Sequence, residues 1–291
     1  MNQSKRRLSR IKNHLIAHPQ HGNANRLFTN TTANTTDTTN DTTTTATTTT
    51  TTTITTHLDQ ADHLETLSQH QAIIDALTPL LAHSSTPTIT TDIAWRLARA
   101  HERMWQASVL AHHKKNMQHH FQHGLTYSQQ AVHHTPRSGP ANKWRAIYLG
   151  MQAEIGGVIA SAKNVGAIDA HLRTALLTLT DDSTLYFMLG RITFSCASAT
   201  WSERTASKVV GYAIPQATFA ESVRLFRQAL SLDKNVTNCL WLGKALFQHG
   251  KRPASRKWWT RASKMACKTK EDVNSQQEAK KELAKHFGSE M

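Results

Sequence analysis

The sequence predicts an all-α protein: an α-solenoid of helical hairpins with elongated units and a C-terminal capping helix. Three observations carry that prediction. From residue 58 onward apolar residues recur at helical spacing, and no segment alternates with period two for long. Three helix starts share a Leu–small–basic triplet: Leu97-Ala98-Arg99, Leu189-Gly190-Arg191 and Leu242-Gly243-Lys244. Each has an aromatic within the three preceding residues (Trp95, Phe187, Trp241). Each is followed by a second helix with an alanine-centred signature, at Ala131, Ala229 and Ala262.

In chain order, residues 1–28 form a basic segment. Lys5, Arg6, Arg7, Arg10, Lys12 and Arg26 all precede the first acidic residue, Asp37. Leu8, Ile11 and Leu15 share one helical face, so two readings stay open: a disordered basic tail, or an acid-free, Arg-rich start of the kind that targets mitochondria. Residues 29–57 are mostly threonine. Burial there cannot offset the entropy of ordering, and a disordered linker is expected. One helical domain is expected over 58–291. It opens with Leu58, Ala61, Leu64 and Leu67, then Ile73, Ile74, Leu77, Leu80 and Leu81, the pattern of two short amphipathic helices that Pro87 ends.

The last repeat has the dimensions of a tetratricopeptide hairpin. Gly250 marks its turn and Trp259 stands three residues before Ala262. The pair Phe226 and Ala229 repeats this 33 residues earlier, near the 34-residue period. A mid-helix glycine costs about 1 kcal/mol relative to alanine, so Gly243 needs a reason. Close crossing of the two helices supplies one. A phosphate loop does not: Gly243 and Gly250 are too far apart for GxxxxGK, and Arg252 replaces the hydroxyl that would hold Mg²⁺. The other hairpins are stretched. About 14 extra residues separate Leu97 from Ala131, including AHHKKNMQHH, and about 20 separate Leu189 from Ala229. A middle unit runs from 143–150 to Ala175, its register blurred by GGVIASAKNVG.

The ordered set WRLARA (95–100), KWRAIYLG (143–150), LGRITF (189–194), WSER (201–204), GYAIPQATF (211–219) and LGKALF (242–247) resembles the regulator of microtubule dynamics family. The likeness covers roughly Leu58 to Phe287. It departs around His70 and His101, where the family carries aromatics, and at Thr193, where a tyrosine-like residue is common. The resemblance implies a tetratricopeptide-like domain, association with microtubules, and a role in microtubule or spindle organisation. It also implies a cytoplasmic, cytoskeleton-associated location; residues 1–28 leave mitochondrial association as an alternative.

Charge agrees with an acidic partner. The formal net charge is +14, which favours tubulin, another acidic protein or an anionic membrane surface. The alternative function is an adaptor at a membrane surface with a peptide- or lipid-binding groove. Cations interleave with Trp258 and Trp259 between Lys251 and Lys264, but Trp259 belongs to the core by its spacing, so no specific nucleic acid is expected. The sequence points away from catalysis: Cys196, Cys239 and Cys267 have no base nearby, and neither GxSxG nor a dinucleotide fingerprint occurs. Neither a cofactor nor a metal is expected. His119 and His123 have the i, i+4 spacing of helical zinc ligands but lack the glutamate of HExxH, and the histidines at 112–134 read as a solvated insertion. Glu203 reads as half of a structural ion pair. The candidate binding residues are Arg99, Arg191 and Lys244, which in this repeat type face the groove. They form either a channel for acidic ligands or ion pairs within the solenoid.

Overall fold

The computed structural model describes residues 42–84, 86–209 and 211–288; the 1–28 segment and the first part of the threonine tract lie outside them. Among the described residues the chain forms eleven helices and no strand. It divides into two compact units, one ending at Pro136 and the other beginning at Arg137, where one domain was expected.

The first unit comprises α1 (Thr42–Thr66), α2 (His70–Ala82), α3 (Pro87–Leu110) and α4 (Lys114–His134). Helix α1 starts well before Leu58, so residues 42–57, expected as linker, are helical. Elongating a helix costs far less than nucleating one, and here elongation gains burial. Ile54, 3% exposed, extends the stripe of Leu58 and Ala61 at i, i+4, i+7, packing with Ile73, Leu77, Ile93 and Leu97. Thr86 caps α3 by accepting from Ile89 N at 3.3 Å, with Pro87 in the first turn; the proline that ends one pair begins the next.

Helices α3 and α4 turn tightly at His112 (φ 57°). The extra residues of this hairpin lengthen both helices. They add helix rather than a loop: His112, His113, His119, His123, His133 and His134 are exposed, as the solvated reading has it, whereas His120 is buried against His101. The reason is register: His101 of α3 and His120 of α4 face each other across the two packed helices, while the rings of His119 and His123 lie beside them at exposed positions.

The second unit comprises α5 (Gly139–Leu176), α6 (Ser183–Ser198), α7 (Trp201–Val209), α8 (Phe219–Leu232), α9 (Val236–Gln248), α10 (Arg252–Lys264) and α11 (Lys270–Phe287). A straight α5 would hold Asn142 and His171 about 43 Å apart. Their side chains instead meet at 2.7 Å, and Ser161 Oγ donates to Ala153 O at 3.1 Å. The chain therefore reverses between 153 and 161, which gives the middle hairpin.

The landmark residues now have physical roles. A Cβ on Gly243 would lie 2.4 Å from Trp259 Cδ1, and one on Gly190 2.9 Å from Phe226 Cε1. Both glycines are present because a ring occupies the space of a side chain. The alanine signatures lie where the start of the first helix meets the end of the second. Ser183 Oγ donates to Ala229 O at 3.1 Å and Thr91 Oγ1 to Ala131 O at 3.3 Å. Gly250, at φ +80°, takes the left-handed turn that glycine tolerates.

The third elongation is α7 plus an extended return. Among the described residues Glu203 has no ion-pair partner. Its carboxylate accepts from Thr200 N at 2.8 Å while Thr200 Oγ1 accepts from Glu203 N at 3.3 Å, a capping box. Its neighbour Arg204 pins the extended return instead, donating to the carbonyls of Ile214, Pro215 and Cys196. The terminal helix α11 opens with a second capping box, Thr269 with Asp272, and caps the core with Ala279 and Phe287.

Candidate functional site

Helices α6 and α9 bring two of the three candidate residues together. Arg191 and Lys244 converge on the Trp241 indole, with Arg191 Cζ 4.5 Å and Lys244 Nζ 4.3 Å from the ring centroid. Lys244 Nζ also meets Glu278 of α11 at 2.6 Å. Arg191 is only 2% exposed. Burial pushes its pKa down to about 10 against the pull of Glu271, Glu154 and Glu278, so it stays cationic at neutral pH. Glu271 is pushed up to about 7, by burial first, with Arg191 opposing and the charge of Asp272 adding. These groups form a buried cation cluster balanced by carboxylates from the terminal helix.

Arg99 belongs to the other unit. It meets Asp62 at 2.8 Å and Glu65 at 3.4 Å, within a network that includes Arg96 and Arg103. Burial alone would raise both carboxyls. The guanidiniums outweigh it, holding Asp62 below the usual carboxylate range and, with His70, taking Glu65 down to about 2. All three triplet cations thus sit beside carboxylates of their own unit. Arg191 is a poor probe for ligand binding, because reversing its charge would place a fourth carboxylate among Glu154, Glu271 and Glu278.

Two grooves cut the second unit. One, of about 740 Å³, lies among the end of α6, α9 and α11. Lys244 and Lys285 on its walls are matched by Glu203, Glu278 and Glu282. The other, of about 600 Å³, lies between α8 and the α9–α10 turn. Arg224, Arg227, His249 and Lys251 line it, all exposed, with no carboxylate among the lining residues. Sequence reasoning singled out Lys251 and the cations after it but missed Arg224 and Arg227. The signal was there: in RLFRQAL the two arginines flank the buried Leu225 and Phe226, and they stand at i, i+3 on the face turned to solvent.

The terminal carboxylates were missed as well. Glu271 and Glu278 are seven residues apart, hence on one face of α11. The helix read only as a cap also supplies counter-ions.

A family model described as Regulator of microtubule dynamics protein 1-3 matches residues 57–287. The chain belongs to this family. Among curated members, Regulator of microtubule dynamics protein 2 of Mus musculus is 26% identical over 229 residues, covering 78% of this chain and 55% of its own length. Regulator of microtubule dynamics protein 1 of Bos taurus is 27% identical over 224 residues, 76% of this chain and 68% of its own. The chain therefore spans little more than half of the mouse protein. A thermophilic TPR protein of Thermus thermophilus superposes with a TM-score of 0.46 at 14% identity, over 78% of this chain and 98% of that one. The chain's own stretched hairpins are the long α3/α4 pair and the one that holds the α7 excursion.

Proposed function

We propose that this chain is a non-enzymatic regulator or adaptor with a microtubule-related role, and that it works by binding an acidic protein surface, that of tubulin first. Membership of the regulator of microtubule dynamics family over 57–287 carries the reading. The charge of +14 supports it, since tubulin surfaces and tails are acidic. Two of the three thiols are withdrawn from nucleophilic chemistry. Burial pushes Cys196 up to about 12 and Cys239 up to about 11, so neither offers a thiolate at neutral pH. The reading expects the protein on the cytoskeleton. Among the described residues no helix is long and apolar enough to cross a membrane.

The test is co-sedimentation of the full chain with polymerised tubulin, intact and with the acidic tails removed, over a salt series. Pelleting is expected at low salt. It should weaken as ionic strength rises past ~0.1 M, where charges more than about 10 Å apart are screened, and it should fall on tail removal. Pelleting indifferent to both would place the contact outside charge recognition. Absence of pelleting at every salt concentration would sink the microtubule reading.

A further inference from the structure

The proposed function leaves open which surface meets the acidic partner, and the two grooves of the second unit answer differently. In the groove among α6, α9 and α11 the cations already face carboxylates, so an incoming carboxylate meets a neutral field. In the groove between α8 and α10 the cations have no such neighbours. Arg224, Arg227 and Lys251 are exposed, and among the described residues no carboxylate pairs with them. The one acidic residue of α8, Glu221, is taken by Arg173 at 3.1 Å. Helix α10 has no acidic residue at all.

The groove has the shape of a peptide track. Its α8 wall runs from Ala220 to Ser231, twelve residues of helix spanning about 16 Å, enough for about five residues of extended chain. Val223, Leu246 and Ala254 give an apolar floor, and Gln228 and Ser231 offer side-chain hydrogen bonds at one end. No Phe, Tyr or Trp lines it, so it lacks the stacking platforms that hold single-stranded nucleic acid.

We propose that the groove between α8 and the α9–α10 turn is a docking site for an extended, carboxylate-rich segment of a protein partner, held by Arg224, Arg227 and Lys251. This rests on the acidic-partner reading above and names its surface. The recognition is electrostatic and solvent-exposed, with each ion pair worth roughly a two- to fivefold change in affinity.

The experiment uses the full chain and a fluorescent peptide ending in six glutamates, read by anisotropy at ~0.1 M salt, where charges more than about 10 Å apart are screened, beside microtubule pelleting of the same preparations. The triple variant Arg224→Glu, Arg227→Glu, Lys251→Glu should lose at least about tenfold in peptide affinity. A control reverses the same amount of charge elsewhere on α10: Lys257→Glu, Arg261→Glu, Lys264→Glu, all at exposed positions. It should stay within about threefold of the parent, since screening limits its reach. Circular dichroism checks folding, and the glutamine triple at 224, 227 and 251 replaces the glutamate triple if helicity falls. Equal losses in both triples would overturn the site in favour of a diffuse basic surface. Tighter groove-dependent binding of an oligothymidine of equal charge would overturn the peptide as occupant. Unchanged pelleting of a groove variant that still sediments like the parent overturns the groove while leaving the microtubule reading standing. Groove-dependent peptide binding without pelleting of the parent supports the site and overturns the microtubule reading.

Discussion

The α3/α4 hairpin and the α9/α10 hairpin are written with the same landmarks and filled with different chemistry. Each has Leu–small–basic in its first helix and an alanine near the end of its second. Between α9 and α10 the space is taken by Trp259, 1% exposed, lying on Gly243 and beside Phe247 at 5.5 Å. The corresponding position of α4 holds Ser128, and the corresponding small residue of α3 is Ala98. That hairpin buries two imidazoles instead: His101, 3% exposed, meets His120 Nδ1 at 3.0 Å, and it stacks on the exposed His123 at 5.3 Å with Tyr127 at 5.5 Å. One hairpin is held by apolar burial; the other buries two imidazoles, His101 and His120, whose burial favours the neutral ring. The repeat pattern fixes where helices cross. It leaves open what fills the crossing.

The largest expected effect breaks the aromatic hairpin alone. Trp259→Ala should destabilise the protein by about 3–5 kcal/mol, the range for emptying a large core site. It also removes the indole that donates to Leu240 O at 3.2 Å. Ser128→Ala, at the matching place, should cost within about 1 kcal/mol, since its hydroxyl makes only a local bond to Leu125 O. Chemical denaturation of both variants gives the two numbers. Comparable losses would mean that the α3/α4 hairpin has a packing centre at Ser128 that the imidazole account omits.

Acidification should separate the α3/α4 hairpin from the cap helix α11 by sign. His101 is pushed down to about 3, by burial first and then by the charges of His120, His123 and His119; His120 is lowered by burial and by His119 and His123. The carboxylates of α1 that flank α3, Asp62 and Glu65, are committed to arginines. Between pH 6.5 and 3 the unfolded chain takes up protons that folded His101 refuses, so stability falls as pH drops through 6.5. The slope is at most about 1.4 kcal/mol per pH unit for one such group. Glu271 acts the other way. Its folded carboxyl keeps a proton up to about pH 7, the unfolded one only to about 4.5, so its contribution rises as pH drops across that window. Hydrogen exchange of the intact chain at pH 7 and pH 5, corrected for intrinsic rates, should show α3/α4 opening more and the start of α11 opening no more. Parallel behaviour of the two regions would remove the histidine cluster as the cause.

How much of this was legible follows from what periodicity encodes. Crossing glycines, alanine signatures and the turn at Gly250 were readable, because each answers to backbone geometry that one residue type satisfies. The middle hairpin was readable only in outline, since a reversal at GGVIASAKNVG needs no proline or polar loop to announce it. The threonine helix was not readable: threonine is a weak helix former, and the burial of Ile54 against α2 and α3 that favours helix there is a tertiary contact. The site was half legible. That Arg191 and Lys244 share a place followed from the repeat register. That Glu278 and Glu271 occupy it too depends on how the cap docks, and helical spacing within one segment carries no such information.

The smallest effect tests whether that docking is electrostatic. Lys244 is nearly buried, but its partner Glu278 is 46% exposed, so solvent screens much of the pair. Glu278→Gln should therefore cost no more than about 1 kcal/mol, while the Lys244 ammonium keeps its seat on Trp241. Lys244→Met conserves the apolar stem over the indole and should cost about as little, because the stem and not the charge fills the space. The double variant should lose no more than the larger single loss, which is the signature of one shared contact. A cost of several kcal/mol for Glu278→Gln would mean that its charge is also holding Arg191 in place. The cap would then be an electrostatic clamp on a buried guanidinium, unlike the α3/α4 hairpin, whose guanidiniums Arg96, Arg99 and Arg103 find their counter-ions on α1 at part-exposed positions.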